Sequence, residues 1–447
     1  MKFNTTLFVS IVLSIVISSC YKEEEVPVIM DFEYIQPESY TVPVELALVN
    51  RTSGADFYRW TFEGASPATS DDKSPGTISY DKAGTYTIKL EAWNDTQRNS
   101  KEITFTLDSA VNLAFDVAVQ VNDFVPATVK ITNHTRGASS YVWSFEGGTP
   151  ATSTEANPPD VVFDSPGEHT IQLQVSNGRE FFSSSKTIVL KPAMAIDFSI
   201  IPSFEDEDYE APLTATLQNS TISALRYNWS ATGGAIDNTS AENTSIYFEN
   251  PGTYTVTLQT ENDKDVQTIQ RTITVKPNTN LYTMPDVKLA ISAGHVASGS
   301  FYSTKLRQVL KREDVNADNG SLVDIVFFGI NSSFSYSRFI SPDSAAKYAF
   351  PPIPGATHTA FINTLESGAI TFSATQFDAM TNDTPLQPLD IKNNDSRIAF
   401  FNNTVAPRIV LFETSDGRKG AIKVKSFIVD GSQSYILLDI KVQKLKR

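Results

Sequence analysis

The sequence repeats itself three times, and this repeat constrains the fold more than any other feature. Three segments carry the same short motifs in the same order. Each has a Tyr-x-Trp motif, which ends at Trp60, Trp143 and Trp229, so the tryptophans lie 83 and 86 residues apart. This period is far longer than that of solenoid repeats and predicts a row of small, separately folded domains.

The copies agree at six positions. These are a proline, an Asn-x-Thr motif, the Tyr-x-Trp motif and a glycine that opens an alternating segment: Pro43, Asn50, Thr52, Tyr58, Trp60 and Gly84; Pro126, Asn133, Thr135, Tyr141, Trp143 and Gly167; Pro212, Asn219, Thr221, Tyr227, Trp229 and Gly252. Residues 85–92 and 253–260 alternate apolar and polar side chains. A period of two predicts half-buried β-strands, and hence an all-β fold for this part of the chain.

These motifs resemble those of PKD domains, which are seven-stranded immunoglobulin-like β-sandwiches. The resemblance covers roughly residues 31–276 and implies three domains, at 31–109, 110–191 and 192–277. The family's usual Trp-x-Phe-Gly-Asp-Gly is replaced here by Trp60-Thr-Phe62-Glu63-Gly64 and its two counterparts. We expect each repeated tryptophan to fill its core, and we expect short linkers with few contacts across them.

Trp93 stands outside the repeat. The other copies place Ser176 and Glu261 at this point, and Trp93 has the opposite strand parity to Ile88 and Leu90. It is therefore a secondary candidate for binding a glycan at the surface. The alternative is an edge residue folded over its own sandwich, because single exposed apolar residues are common.

The amino terminus resembles that of a bacterial lipoprotein. An apolar run at residues 7–17 is too short to span a bilayer and ends at Ile17-Ser18-Ser19-Cys20, which is similar to a lipobox. The resemblance implies a signal peptide at residues 1–20 and lipidation of Cys20, whereas the alternative is a free thiol after an ordinary secretory signal. Residues 21–30 form an acidic tether with Glu23, Glu24 and Glu25. It resembles the tether that sends Bacteroidetes lipoproteins to the outer face of the outer membrane.

Charge and composition exclude several functions. The net charge of −15 argues against nucleic acid as a partner. One cysteine and four histidines argue against a metal site, and no cofactor is predicted. The acidity is uneven, at −18 for residues 1–279 and +3 for residues 280–447. The acidic run at residues 205–208 is expected to be a solvated loop, with calcium binding as the alternative.

The last segment, residues 278–447, matches none of the repeats and is expected to be a ligand-binding β-sandwich or barrel. An Asp-Gly pair in Ser415-Asp416-Gly417-Arg418 predicts a hairpin turn. Residues 303–312 alone are predicted to be helical. Strands are predicted at residues 287–291, 323–330, 370–374, 397–401, 409–413, 421–429 and 434–442.

The chemistry of this segment favours binding over catalysis. It has none of the common catalytic motifs, so we do not expect an enzyme, although two carboxylates that converge only in space would escape a sequence search. A glycan site needs aromatic faces and planar polar groups, and residues 331–352 are rich in both. The candidate glycan-binding residues are Phe334, Tyr336, Arg338 and Tyr348, with Phe339 and Phe350 as the aromatics expected to hold the loop on the core.

Three functions remain open. Short stretches including Phe412–Gly420 and residues 439–444 resemble the C-terminal domain of Bacteroidetes surface lipoproteins that serve SusC/SusD-type polysaccharide uptake systems. That resemblance implies a protein that binds polysaccharide, with laminarin-type β-glucan as the preferred ligand, and presents it to an outer-membrane transporter. The alternatives are haem capture by His295 and His358, which lie 63 residues apart, and a structural or adhesive stalk.

Overall fold

The computed structural model describes residues 25–367, 369–392 and 399–446, and it is nearly all β. Cys20 and residues 21–24 of the tether lie outside these ranges. The described part contains one α-helix, α1 (Ala374–Ala379), and no helix there has the length and apolarity needed to cross a membrane. The chain contains short 3-10 helices at Phe204–Asp206, Ser292–Gly294, Arg312–Asp314, Gly320–Leu322, Pro342–Lys347, Leu365–Ser367 and Gly431–Gln433.

Each repeat forms a sandwich of two antiparallel sheets, as the alternating pattern predicts. The first repeat contains β1 (Phe32–Tyr34), β2 (Val44–Asn50), β3 (Phe57–Phe62), β4 (Thr69–Ser70), β5 (Thr77–Tyr80), β6 (Gly84–Trp93) and β7 (Arg98–Leu107). The second contains β8 (Phe115–Val119), β9 (Ala127–Asn133), β10 (Ser140–Phe145), β11 (Gly148–Thr149), β12 (Thr152–Ser153), β13 (Val161–Phe163), β14 (Gly167–Ser176) and β15 (Phe181–Leu190). The third contains β16 (Phe198–Pro202), β17 (Leu213–Asn219), β18 (Arg226–Ala231), β19 (Ala235–Ile236), β20 (Thr244–Phe248), β21 (Gly252–Glu261) and β22 (Val266–Val275).

The sheet order shows that six main strands of each sandwich share one topology, while the short edge strands β4, β11, β12 and β19 differ between the repeats. In the first repeat the sheets run β1-β2-β5 and β4-β3-β6-β7. In the second they run β11-β13-β9-β8 and β12-β10-β14-β15, and in the third β16-β17-β20-β19 and β18-β21-β22. The longest hairpins, β6-β7, β14-β15 and β21-β22, pair over ten residues each.

The repeated tryptophans are core residues, as predicted. Trp60, Trp143 and Trp229 are at most 1% exposed. Each indole Nε1 donates a hydrogen bond to a carbonyl twelve residues later, at 2.9 to 3.0 Å. Each ring also meets the edge of a phenylalanine from the opposite sheet at 5.0 to 5.2 Å, namely Phe32, Phe115 and Phe198. The indole therefore joins the two sheets in every copy.

The C-terminal domain, residues 278–447, is a second kind of sandwich. Its strands are β23 (Leu281–Ala290), β24 (Phe301–Ser303), β25 (Gln308–Leu310), β26 (Ile325–Phe328), β27 (Arg338–Ile340), β28 (Ala360–Ile362), β29 (Arg408–Glu413), β30 (Lys419–Ile428) and β31 (Tyr435–Gln443). A five-stranded sheet, β23-β31-β30-β29-β28, faces a four-stranded sheet, β25-β24-β26-β27. One hydrophobic core is shared by both, with Val410 and Ile422 on one side and Ile325 and Phe327 on the other.

Three local predictions for this domain are wrong, and the predicted hairpin turn is confirmed. Of the strand predicted at residues 397–401, residues 397 and 398 lie outside the described ranges, and the described residues 399–401 form a single bridge from Phe401 to Ser337 instead of a strand. Residues 303–312 are not helical, because β24 and β25 form a hairpin there. Residues 370–374 are not a strand; instead Ser373 caps α1 by accepting a hydrogen bond from Gln376 N while the Gln376 side chain returns to Ser373 N. The Asp416-Gly417 turn between β29 and β30 is present, with Gly417 at φ +82°.

The junctions between domains carry several polar contacts, whereas we expected short linkers with few contacts across them. The turn between β14 and β15 reaches back to the first repeat, where Asn177 Nδ2 donates to Thr41 Oγ1 at 2.8 Å and to the Ser109 carbonyl at 3.1 Å. The turn between β21 and β22 does the same to the second repeat. There Lys264 Nζ donates to the carbonyls of Asn122, Phe124 and Pro126 at 3.0, 2.5 and 3.0 Å.

We expect Lys264→Ala to loosen the second junction without unfolding either neighbour. The ammonium group bridges three carbonyls of the preceding domain, but it lies at the surface, so its net contribution to folding is below about 1 kcal/mol. Small-angle scattering should give a broader distance distribution at an unchanged unfolding temperature. Lys130→Ala, an exposed lysine in β9, is the matched control, and equal scattering from the two variants would contradict the prediction.

Candidate functional site

The four predicted glycan-binding residues do not share one environment. Phe334 is fully buried and meets Phe427 edge-on at 5.1 Å, so its place among the exposed candidates is corrected. It packs into the main core because residues 334 and 336 both have positive φ values, which turn the chain inward between them. Phe339 and Phe350 are 1% and 5% exposed, in agreement with their predicted role in holding the loop on the core.

The other three candidates are linked through Phe400, which the sequence had not singled out. Tyr336 is 63% exposed and meets the Phe400 ring edge-on at 5.4 Å. The Arg338 guanidinium lies 3.3 Å from the Phe400 ring centroid and donates to Tyr348 Oη at 3.1 Å. The result is a continuous chain of aromatic and cationic contacts, in which Tyr336 and the 45% exposed Phe400 face solvent.

A pair of backbone hydrogen bonds holds this cluster in place. Ser337 N donates to the Phe401 carbonyl at 2.9 Å, and Phe401 N donates to the Ser337 carbonyl at 2.8 Å. The bridge is antiparallel, so Phe400 lies opposite Arg338, and Tyr336 meets Phe400 diagonally across the pair. The buried Asn363 amide then binds both backbone groups of Phe339, at 2.7 and 3.0 Å, and joins β27 to the segment after β28.

A groove of about 630 Å³ opens beside the two exposed rings. It lies where the edge strands of the two sheets meet, since its residues follow or precede β27, β28 and β29. Arg408 Nη1 lies 2.8 Å from Glu366 Oε1, within ion-pair distance but without hydrogen-bond geometry. The lining residues are Ser335, Tyr336, Thr364, Glu366, Phe400, Phe401, Asn402, Thr404 and Arg408.

The electrostatics of the groove are balanced rather than strongly charged. Arg408 is 6% exposed and pairs with Glu366, while its guanidinium lies 5.0 Å from the Phe401 ring centroid. Burial lowers the pKa of Arg338 from its ordinary value, and contact with Tyr348 opposes this effect. The groove thus combines two exposed aromatic rings with planar polar groups and little net charge, which suits a neutral, hydroxyl-rich ligand.

Arg338 and His358 line a smaller cavity of about 310 Å³. His358 Nδ1 is 3.0 Å from Asp343 Oδ2. Burial acts to raise the pKa of Asp343, but hydrogen bonds from Ser341 and His358 outweigh it, so the pKa lies below its ordinary value. His295 is not among the residues of this cavity; it meets Phe350 edge-on at 5.5 Å and its Nδ1 lies 2.6 Å from the Ser292 carbonyl.

The acidic run at residues 205–208 belongs to the junction with the C-terminal domain. Asp206 is buried and accepts from Ser203 Oγ and Thr214 N at 2.8 and 2.9 Å. Asp208 lies 2.5 Å from Lys444 Nζ. Glu207 lies 3.4 Å from Arg307. The run that we expected to be a solvated loop is thus an acidic surface that pairs with Arg307 and Lys444 of the C-terminal domain. The described residues contain no group of three or more side chains that could hold a metal ion.

Trp93 lies on the outer face of the first sandwich, as its parity predicts. It is half-buried, stacks on Phe57 at 5.8 Å with 20° between the ring planes, and has the Arg98 guanidinium 4.5 Å from its ring centroid. Strand pairing places Ser140 opposite Ser176 in the second repeat and Arg226 opposite Glu261 in the third. The aromatic pair is therefore confined to the first repeat.

Comparison with known proteins identifies the repeats. A model of the PKD domain matches residues 34–107, 114–190 and 201–275, just over half of the chain. No curated protein matches the sequence.

Several solved structures are similar at low identity. A DUF4466 family protein from Parabacteroides merdae is 9% identical over 74% of this chain and 99% of that chain, with a TM-score of 0.26. Three immunoglobulin domains of titin are 13% identical over 56% of this chain and 99% of that chain, with a TM-score of 0.31. Invasin, a bacterial integrin-binding protein, is 11% identical over 92% of this chain and 78% of that chain, with a TM-score of 0.28. These values are too low to transfer a function.

Proposed function

Because this chain belongs to the PKD domain family, we propose that it is a cell-surface lipoprotein whose three PKD domains carry a polysaccharide-binding domain at the C-terminal end. The PKD domains are a tandem array typical of an extracellular spacer. The groove beside Tyr336 and Phe400 supports binding, and it is the single observation that carries the proposal. The preferred ligand is a neutral glucan of the laminarin type.

The two exposed rings fit a sugar for a physical reason. A pyranose offers CH faces that stack on aromatic rings and hydroxyl groups that need planar hydrogen-bonding partners. Tyr336 and Phe400 stand at 88° to each other, so they present faces in two directions. Glu366, Asn402 and Arg408 supply acceptors and donors around them. The ligand would lie across the groove with its ring against Tyr336.

The charge distribution supports a spacer that ends in this domain. Residues 1–279 carry a net charge of −18 and residues 280–447 carry +3. Lys444 pairs with Asp208 and Glu210 at 2.5 and 2.7 Å, and Arg307 contacts the Phe204 carbonyl. These contacts fix the binding domain to the end of the array instead of leaving it on a free linker. A SusC/SusD-type transporter complex would be the partner that receives the glycan.

Affinity electrophoresis with polysaccharide in the gel tests the binding proposal. We expect the full chain to be retarded by laminarin and the Tyr336→Ala variant to migrate as it does without polysaccharide. Tyr247→Ala is the matched control, because Tyr247 is a 44% exposed tyrosine on the third PKD domain. Equal retardation of wild type and Tyr336→Ala would contradict the proposed site. Absence of retardation by every neutral glucan would leave the array as a structural or adhesive stalk.

We expect Cys20→Ala to release the protein from the outer membrane. Acyl chains on Cys20 would be the anchor, and each buried CH₂ contributes about 0.8 kcal/mol to membrane binding. Fractionation should move the variant from the membrane pellet to the soluble fraction, while replacement of Glu23, Glu24 and Glu25 by Ala should leave it in the pellet but shielded from added protease. A Cys20→Ala variant that stays in the pellet would contradict lipidation.

A Soret band in the purified protein would favour the haem alternative instead. That band should then depend on His295 or His358. We expect no such band, because one histidine packs against Phe350 and the other pairs with Asp343.

A further inference from the structure

Phe57, Trp93 and Arg98 form a row on the outer face of the first PKD domain, and we propose that this row rests on the surface of a lipid bilayer. The three residues lie on adjacent strands, β3, β6 and β7, with Trp93 in the middle. Phe57 is 53% exposed and the Arg98 side chain is 60% exposed. The name seat is used below for these three residues.

The seat lies at the end of the domain where the chain enters. Asn94, directly after Trp93, donates from Nδ2 to the Val26 carbonyl at 2.9 Å and to the Gly54 carbonyl at 2.8 Å. Val28 N donates to the Gln97 side chain at 3.1 Å. The second half of the tether is therefore bound to the hairpin that carries Trp93.

Chain length then limits how far the seat can be from the membrane. This step rests on the proposed lipid anchor at Cys20. Five residues separate Cys20 from Val26, so the connecting chain spans at most about 20 Å when fully extended. Val26 and Ile29, which are 58% and 60% exposed, add apolar surface at the same end.

The shape and charge of the seat favour a lipid interface over a glycan. Phe57 covers one side of the Trp93 ring and Arg98 the other, so its faces are not open for stacking on a sugar. The ring edges of Phe57 and Trp93 beside the Arg98 guanidinium suit the boundary between lipid acyl chains and headgroups, where Trp and Arg side chains are favoured. Glu91 Oε1 lies 3.9 Å from Arg98 Nη2. Glu25, Asp56 and Asp95 are exposed close by in the sequence, so acidic groups oppose an anionic surface and select a zwitterionic one.

The other two repeats serve as internal comparisons. At the corresponding positions the second repeat has Ser140, Ser176 and Phe181, and the third has Arg226, Glu261 and Val266. In those repeats the hairpin at this end contacts the preceding domain. Only the first repeat, which follows the tether directly, carries the aromatic pair.

Tryptophan quenching in vesicles tests the seat. The lipidated full chain would be reconstituted into phosphatidylcholine and phosphatidylethanolamine vesicles that contain a lipid with a headgroup spin label. Trp60, Trp143 and Trp229 are buried in their cores, so the quenchable emission should come from Trp93 and should vanish in Trp93→Phe. Phe57→Ser should reduce the quenching several-fold. Phe181→Ser, which removes a 69% exposed phenylalanine from the second repeat, should leave it unchanged.

The outcomes separate the seat from the anchor. Protein that pellets with the vesicles but shows no quenching of Trp93 overturns the seat and leaves the anchor in place. Protein that does not pellet overturns the anchor, and the seat with it. Quenching of Trp93 that depends on soluble polysaccharide instead of labelled lipid also overturns the seat and assigns the row to a glycan.

Discussion

We expect Trp143→Ala to unfold the second PKD domain. Trp143 is 0% exposed, meets Phe115 edge-on and donates to the Glu155 carbonyl. Truncating such a residue costs about 3 to 5 kcal/mol. A domain of this size has a total free energy of unfolding near the low end of about 5 to 15 kcal/mol. A loss of about 3 to 5 kcal/mol therefore removes most of its stability.

Scanning calorimetry of the full chain measures this effect. One transition should disappear or move to much lower temperature, and the C-terminal domain should keep its own transition, because its core is separate. Trp143→Phe is the control, since it keeps an aromatic ring and loses only part of the buried volume. An unchanged thermogram for Trp143→Ala would contradict the role of the indole as the link between the sheets.

The second large effect is expected for the double variant Tyr336→Ala and Phe400→Ala. Removal of both rings takes away the two exposed faces beside the groove, and each should cost about 1 to 3 kcal/mol of glycan affinity, roughly 5- to 150-fold. Stability should change little, because surface substitutions usually shift it by less than about 0.5 kcal/mol. Thermal melting and a binding isotherm of the same sample give both values.

The control for the double variant must remove equally exposed rings elsewhere. Tyr247→Ala with Phe181→Ala does so, because these rings are 44% and 69% exposed on the third and second repeats. If the groove binds glycan, this control keeps full affinity. A fall in melting temperature together with the loss of binding would indicate that Phe400 supports the fold through Arg338 rather than the ligand.

The repeats were predictable because their signals are local and occur three times. The core tryptophans follow from the Tyr-x-Trp motif and from strand alternation. The hairpin turns carry a similar signal. Asn94, Asn177 and Asn262 recur with the repeat, and each side-chain Oδ1 accepts a hydrogen bond from backbone N–H groups two or three residues later.

The groove could be predicted only in part, because it is assembled from three distant segments. Tyr336 could be predicted because it lies in a loop rich in aromatic residues. Glu366, Phe400 and Arg408 could not, because they line the groove only once the edge strands β27 and β28 come together. The error at Phe334 has a similar cause. Phe334 and Tyr336 share a parity, and only the positive φ at both residues sends one ring into the core and the other to solvent.

Two of the three wrong elements are explained by how short the observed elements are. A hairpin with three-residue strands, β24 and β25, leaves too few residues to establish a period of two, so residues 303–312 fit a helical pattern as well. Residues 370–374 are apolar enough for a strand, but the capping box at Ser373 and Gln376 begins a helix. Tertiary contacts with the core, through the buried Phe377, then hold that helix.

The central claim is that recognition lies in the C-terminal groove and not on the PKD array. Isothermal titration of laminarin into the full chain, Tyr336→Ala and Trp93→Ala tests it most directly. The account predicts the same binding heat and affinity for wild type and Trp93→Ala, and an affinity weaker by about 5- to 150-fold for Tyr336→Ala. Full binding by Tyr336→Ala together with loss of binding in Trp93→Ala would contradict it and place the glycan site on the first PKD domain.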